Sequence, residues 1–191
     1  DRGLKWADAV VSHGASRQSV TTAINWDHHG LPNVWLGVSA EDQQRWDERK
    51  IHLCHTAAAI RFASFEPLLG MIEQPNIGEF IDWAIVGGES GPSARPMHPG
   101  WARKIRDDCA AAGVPFFFKQ WGEWAPYKPA AGGDLGGDCR ADRVRIVHHV
   151  EHSDTELLQQ SFFTGDTWVK RVGKKAAGRL LDGVEHNGMP L

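Results

Sequence analysis

Residues 83–89 read WAIVGGE, an apolar run that ends in two glycines and a carboxylate. Three other runs have the same form and stop on polar residues: VWLGVS at 34–39, IRFASFE at 60–66 and FFFKQ at 116–120. Short apolar strands separated by segments long enough for helices are typical of a parallel sheet that helices cover. The sequence therefore predicts an α/β fold in which four parallel strands lie side by side in chain order.

The four strand-helix units amount to half of a (β/α) barrel. A complete barrel has eight units and needs about 250 residues, whereas this chain has 191. We predict a partial (β/α) barrel with parallel strands at residues 33–124, after an N-terminal segment without a clear pattern at 1–32. Residues 125–191 form a loop and a C-terminal extension in this interpretation. The start at Asp1 without methionine indicates a fragment, a processed product or an engineered boundary.

Two helices between the strands have clear boundaries in the sequence. Ser39 followed by two acids has the spacing of a helix N-cap, so we expect a polar helix from there to about Lys50. The second helix begins at Pro99, repeats apolar residues every four positions and ends at Gly113. Cys109 lies on its apolar face, which predicts a core position.

The C-terminal extension contains one strand pattern and one basic stretch. The alternation VRIVH at 144–148 predicts a further strand on the outside of the sheet. The stretch 170–183 is rich in lysine and arginine and predicts a helix that ends at Gly183. A basic helix face is usually solvated, and the alternative is an acidic ligand or a nucleic-acid phosphate backbone.

The carboxyl ends of the predicted strands carry the candidate site. Ligands bind at this edge in folds of parallel strands and helices, so we expect its polar residues to contact a small polar ligand. The glycines at 87 and 88 let the backbone approach a ligand or form a tight strand exit, and the sequence leaves both interpretations open. The ligand-binding candidates are Ser39, Glu41, Glu66, Gly87, Gly88, Glu89, Ser90, Lys119 and Gln120.

Glu66 and Glu89 form the one convincing pair of acids at neighbouring strand ends. General acid-base catalysis uses two carboxylates in different environments, which makes a hydrolase one interpretation. Lys119 follows the next strand and is expected to pair with one of these acids, an arrangement that suits ligand binding equally well. No Gly-x-Ser-x-Gly elbow is present, and the histidine-rich stretch 148–152 lacks the HExxH order. We therefore predict neither a serine nucleophile nor a metal site.

The composition excludes several classes of protein. The formal net charge of -3 gives no general reason to expect nucleic acid as a partner, and only the basic stretch favours one. Cys54, Cys109 and Cys139 are odd in number and widely spaced, so neither a disulfide framework nor a CxxC metal site is expected. No apolar run approaches the ~20 residues of a membrane-spanning helix. We therefore expect a cytoplasmic protein without membrane contact.

Several of these stretches, in the same order, resemble the bacteriophage gp-thirty-seven/gp-sixty-eight family, a domain of unknown function. The resemblance rests on NVWLGVS at 33–39, EPLLG at 66–70 and ARPMHP at 94–99, together with the glycine-rich and aromatic strand ends. It covers about residues 33–124 and 168–183. Because several long motifs occur in one order, the resemblance is specific.

The resemblance implies a barrel related to the radical S-adenosylmethionine enzymes, in which a cysteine triplet near the N-terminus binds an iron-sulfur cluster. This chain has no such triplet, so it resembles the C-terminal half of the barrel, and its scattered thiols are a poor substitute. The resemblance therefore implies that this chain holds no cofactor of its own. S-adenosylmethionine and an iron-sulfur cluster belong to a full-length relative.

Two classes of function follow from the resemblance. The first is the ligand-binding part of a radical-type enzyme that is inactive alone, and the second is a non-catalytic binding protein or prophage remnant. A hydrolase that uses the paired carboxylates is a third and weaker interpretation. The missing strands would leave the apolar edge at Val34–Val38 open, so we also expect self-association through this edge.

Overall fold

A four-stranded parallel sheet forms the centre of the molecule. The computed structural model describes residues 30–127, 144–147 and 167–191. The strands are β1 (Trp35–Ser39), β2 (Ile60–Phe65), β3 (Trp83–Gly87) and β4 (Phe116–Gln120), in the spatial order β1-β2-β3-β4. Every neighbouring pair is parallel. The prediction of four parallel strands adjacent in chain order is confirmed.

Helix α1 (Gln43–Cys54) connects β1 to β2 and begins later than the sequence predicted. Asp42 is its N-cap, because the Asp42 carboxylate accepts a 2.8 Å hydrogen bond from the backbone N–H of Arg45. Ser39 is the last residue of β1, so its prediction as the cap is wrong. The chain needs Ala40 and Glu41 to leave the strand before the first helical turn begins.

Helix α2 (Pro99–Ala112) connects β3 to β4 and has the predicted boundaries. The His98 ring accepts a hydrogen bond from the Gly100 N–H at the start, and Gly113 ends the helix with φ 68°. Only glycine adopts this left-handed conformation without strain, which explains why the helix stops there. Cys109 is fully buried on the inner face, so the core prediction is confirmed.

The remaining strands form a second, antiparallel sheet. They are β5 (Trp124–Pro126), β6 (Val144–Val147) and β7 (Thr167–Arg171), in the spatial order β5-β7-β6. The predicted strand at 144–148 is therefore present as β6. A short 3-10 helix at Ile77–Glu79 precedes β3.

The predicted basic helix at 170–183 is wrong for most of its length. The stretch begins inside β7, and its helical part is only α3 (Lys174–Ala177). Gly173 and Gly178 flank this turn of helix with φ values of 86° and 70°. Two left-handed glycines within six residues interrupt any longer helix. Charge pattern alone did not reveal these interruptions.

One face of the parallel sheet packs against α1 and α2. Alternate strand residues point to this face, as the period of a β-strand requires. The Trp46 ring of α1 meets Phe65 edge to face with 5.2 Å between ring centres, and Ile105 of α2 is buried in the same core. The buried apolar side chains of these strands are Ala63, Phe65, Ala84, Val86, Phe116 and Phe118. This core fixes the strand ends relative to one another.

The opposite sheet face is aromatic and only partly covered. The Trp83 ring lies 5.9 Å from Trp35, 5.8 Å from Phe62 and 6.2 Å from Phe117, measured between ring centres. Trp35, at the β1 end of this row, is 40% exposed. The Trp83 indole N–H donates a 2.7 Å hydrogen bond to the Gly188 carbonyl, so the C-terminal segment covers the β4 end of this row of rings.

The two edges of the parallel sheet differ. Residues 186–188 run antiparallel to β4, with hydrogen bonds from the Phe118 N–H to the His186 carbonyl and from the Gly188 N–H to the Phe116 carbonyl. Within the described ranges, β1 pairs only with β2. The described residues thus form an α/β fold whose four-stranded parallel sheet has one covered edge, at β4, and one edge, at β1, that none of them pairs with. No helix in these ranges has the length and apolar character needed to cross a membrane.

Candidate functional site

The carboxyl rim consists of the residues at and just beyond the C-terminal ends of β1 to β4. At its centre, the Lys119 Nζ lies 2.9 Å from Glu66 Oε2. Gln120 Nε2 donates to the other carboxylate oxygen, Glu66 Oε1, at 2.9 Å and to Ser90 Oγ at 3.3 Å. Two side chains of β4 therefore hold Glu66, the acid that follows β2. Both strands end at this edge of the sheet because they are parallel. Gln120 is buried, whereas Lys119 and Ser90 face solvent.

Gly87 makes room for this acid. Strand β3 lies between β2 and β4, so the link from Glu66 to Lys119 crosses the end of β3. A Cβ at position 87 would lie 2.9 Å from Glu66 Oε1. Glycine at this position allows the carboxylate to settle directly over the strand end.

Gly88 lies where two loops approach each other closely. A Cβ at Gly88 would overlap the carbonyl oxygen of Trp121, and one at Gly122 would overlap the carbonyl oxygen of Glu89. The Gly88 N–H donates to the Gln120 carbonyl at 2.9 Å. This N–H is therefore used within the protein, and the geometry favours the tight-turn interpretation of the second glycine.

Glu89 binds the loop that follows it. Its carboxylate accepts hydrogen bonds from the Arg95 backbone N–H at 2.7 Å, from Nε at 2.9 Å and from Nη2 at 2.8 Å. The Arg95 guanidinium lowers the pKa of Glu89. Glu89 therefore stays ionised at neutral pH and closes the loop from 89 to 95.

Glu41 and Ser39 mark the β1 end of the rim. Arg49 of α1 donates from Nη1 to Glu41 Oε2 at 3.1 Å and to the Ser39 carbonyl at 2.5 Å, while the Ser39 side chain is exposed. The hydrogen-bonded Glu89 carboxylate raises the pKa of Arg95, and the negative charge of Glu41 adds to this. The Arg49 guanidinium therefore holds Glu41 and the Ser39 carbonyl at the β1 end of the rim.

The chain matches, over residues 7–190, a family described as a protein of unknown function, DUF5131. It belongs to this family. The match includes the whole carboxyl rim, both sheets and the C-terminal segment that covers β4. Among curated proteins and among solved structures, nothing is detectably similar to the chain.

The sequence analysis missed two residues of the candidate site of this DUF5131 protein. Arg49 and Arg95 each neutralise a rim acid that the sequence had singled out. A signal was available for both, because partly buried carboxylates need a partner and each arginine follows its acid within eight residues. Arg95 also lies in the ARPMHP motif at 94–99.

The described cysteines do not form a cofactor site. Cys54 on α1 donates to the Ile51 carbonyl, whereas Cys109 is buried in α2, where burial raises the pKa of its thiol to about 12. No group of three or more potential metal ligands lies together in the described part of the chain. Cys139 and the histidine-rich stretch 148–152 fall outside the described residues.

A second surface feature lies beside the start of α1. It is an open depression of about 720 Å³, lined in part by Asp47, Glu48, Met71 and Glu73. Asp47 is already bound by Lys50 at 2.6 Å, and the hydrogen bond from Lys50 lowers the pKa of Asp47. The depression therefore has the character of a solvated helix face and does not share the convergent geometry of the rim.

Proposed function

We propose that this chain is the ligand-binding part of a β/α barrel related to the radical S-adenosylmethionine enzymes and to the bacteriophage gp-thirty-seven/gp-sixty-eight proteins. The observation that carries the proposal is the Glu66 carboxylate, which Lys119 and Gln120 hold above Gly87 at the strand ends. In barrels and open sheets of parallel strands, ligands bind at this edge. The four parallel strands supply half of the eight units of a barrel.

The rim is arranged for binding and disfavours proton transfer. Both oxygens of Glu66 accept hydrogen bonds, and Glu89 accepts three from Arg95. Because Arg95 lowers the pKa of Glu89, this carboxyl group holds no proton to donate near neutral pH. A hydrolase with Glu66 and Glu89 as acid and base is therefore the weaker candidate, and the rim positions a small polar ligand.

An iron-sulfur cluster does not fit the described thiols. Such clusters need several cysteine thiolates close together, whereas Cys54 is on the surface of α1 and Cys109 is in the core under α2. The proposal therefore assigns no cluster and no redox step to this chain. A protein with free, widely separated thiols suits a reducing cytoplasm, which is the location we propose.

S-adenosylmethionine is the ligand that tests this proposal. In a titration of the isotope-labelled chain followed by amide NMR, we expect saturable shifts at residues 66–68, 87–90 and 119–121. The Glu66→Gln variant keeps the shape of the side chain but loses the charge that holds Lys119 in place, so affinity should fall about tenfold, the equivalent of one charge-assisted hydrogen bond within the rim. Glu79→Gln, on the exposed 3-10 helix, is the matched control and should bind like the wild type.

The titration also separates the alternatives. Shifts that remain linear up to millimolar ligand, or that map away from the rim, would contradict the proposal and favour the remnant interpretation. Equal losses in Glu66→Gln and Glu79→Gln would show that binding is unspecific.

A further inference from the structure

The cations of the rim are more exposed than the acids they pair with. The Lys119 side chain is 51% exposed and that of Glu66 is 17% exposed. The Arg95 side chain is 61% exposed and that of Glu89 is 23% exposed. A ligand that approaches the strand ends therefore meets positive charge first, and the acids lie beneath.

Both cations retain hydrogen-bond donors for a ligand. Lys119 has three N–H donors, and one hydrogen bond to Glu66 occupies only one of them. Arg95 uses Nε and Nη2 on Glu89, and its Nη1 makes no bond within the described ranges. Lysine and arginine donors of this kind bind carboxylate and phosphate oxygens well.

The two ion pairs belong to one hydrogen-bonded cluster at the strand ends. Lys119 reaches from β4 across β3 to Glu66, the acid that follows β2. Gln120, next to Lys119, donates from Nε2 to Glu66 Oε1 at 2.9 Å and to Ser90 Oγ at 3.3 Å. Ser90 follows Glu89, whose carboxylate holds Arg95. The ends of β3 and β4 therefore present both cations at the same edge of the sheet.

The acids are less suited to receive a ligand. Both carboxylate oxygens of Glu66 and of Glu89 already accept hydrogen bonds from protein side chains. A carboxylate offers about four acceptor sites, of which Glu66 uses two and Glu89 uses three, and both acids are less exposed than the cations paired with them. An anionic group adds to the free donors without breaking either pair.

We infer that the rim takes its ligand by an anionic group, a carboxylate or a phosphate, bound by Lys119 and Arg95. This inference rests on the proposed function, because it assigns the ligand class of the same site. The acids then act as positioning residues that hold the two cations in place. The inference extends to any small molecule that carries such a group.

The test uses simple anions on the full chain at constant ionic strength. Amide NMR titrations with inorganic phosphate, pyrophosphate and citrate are compared with sodium chloride. We expect saturable shifts at the rim with phosphate-type or carboxylate-type probes and none with chloride. The class of probe that binds with the lower dissociation constant identifies the anionic group. Lys119→Met and Arg95→Met should each weaken binding at least tenfold, whereas Lys119→Arg should retain it.

Lys104→Met is the matched control. Lys104 is also ion-paired, with Asp108 at 2.6 Å on α2, so its loss removes the same charge away from the rim. Equal weakening in this control, shifts that follow salt alone, or binding that maps to the basic residues Lys174 and Lys175 would overturn the inference.

If S-adenosylmethionine shifts the rim amide signals while no anion does, the proposed function stands and the anion inference falls. If anions bind at the rim and S-adenosylmethionine does not, the inference stands and the relation to that enzyme class falls.

Discussion

Gly88 is the residue at which the two loops of the carboxyl rim come closest. Its missing Cβ would overlap the backbone carbonyl of Trp121, which cannot move aside as a flexible side chain does. We expect Gly88→Ala to lower the free energy of unfolding by about 3 kcal/mol, the upper range for overpacking. Urea unfolding measures this change.

Gly70→Ala is the matched control for that substitution. An added Cβ there meets Asp42 Cβ at an ordinary 3.4 Å, so the loss should stay below about 1 kcal/mol. Equal effects of the two substitutions would show that loop contact at Gly88 does not decide stability.

Asp182 connects the C-terminal segment to α2 by charge. It accepts hydrogen bonds from Arg103 at 2.6 Å and from Arg106 at 2.7 Å, and these arginines lower the pKa of Asp182 to about 2. The stabilisation is present above the ordinary pKa of 3.8 and is lost as the pH falls through about 2. Asp182→Asn should therefore cost about 1 kcal/mol at pH 7, after allowance for solvent screening, and nothing near pH 2.

Measurement of Asp182→Asn by urea unfolding across this pH range checks the prediction. Asparagine tolerates the positive φ of 56° at this position, so the backbone need not change. Asp107→Asn is the control, because Asp107 contacts Arg106 but lies on α2 itself. A cost for Asp182→Asn that persists unchanged at pH 2 would contradict the electrostatic explanation.

Site residues were predictable where they follow an apolar strand and not where they lie in helices or loops. Glu66 and Lys119 could be placed at one edge because parallel strands share their carboxyl ends. For Arg49 and Arg95 the sequence offered only their nearness to an acid, and their contacts depend on how a helix and a loop fold back over the rim. The two glycines were recognised, but only three-dimensional contact shows which atoms each one clears.

At the scale of elements, the open edge of β1 is the feature with the clearest consequence. Strand β1 carries no lysine, proline or bulge, which are the devices that normally protect an edge strand. Val34 before it is 38% exposed. We expect the chain to self-associate at micromolar concentrations, and Val34→Lys to weaken association about tenfold, the equivalent of about 1.4 kcal/mol.

Sedimentation velocity over a concentration series measures this association. Leu180→Lys is the control, because Leu180 is 51% exposed but lies in the C-terminal segment away from β1. A monomer at all concentrations, with slowly exchanging β1 amides, would contradict the prediction and show that another part of the chain protects this edge.

Elements were predictable when their signal is local. The apolar strands and α2 have their boundaries in nearby residues such as Pro99 and Gly113. In the second sheet only β6 had such a signal, the alternation at 144–148. Strands β5 and β7 had none, because Pro126 of β5 pairs with Val169 of β7 across a long separation in sequence. The helix predicted at 170–183 failed for two reasons: its first two residues pair with distant strands as part of β7, and Gly173 and Gly178 interrupt the rest.

At the scale of the whole molecule, the two described thiols lie on different helices. We expect anaerobic reconstitution of the full chain with iron and sulfide to leave no stoichiometric cluster, because Cys54 and Cys109 lie on different helices and Cys109 resists ionisation. Iron and sulfide analysis after chelator treatment checks this. Stoichiometric, chelator-resistant iron that disappears in Cys54→Ser would contradict it.

The segment at 186–188 restricts how copies of this chain join. With the β4 edge occupied, the described sheet gains strands on one side only. Two chains that meet through β1 about a two-fold axis pair both β1 edges of the described parallel sheet at once, and no β1 edge remains for a third chain. Assembly by this route therefore terminates at a closed dimer with a continuous eight-stranded sheet and does not propagate into fibres.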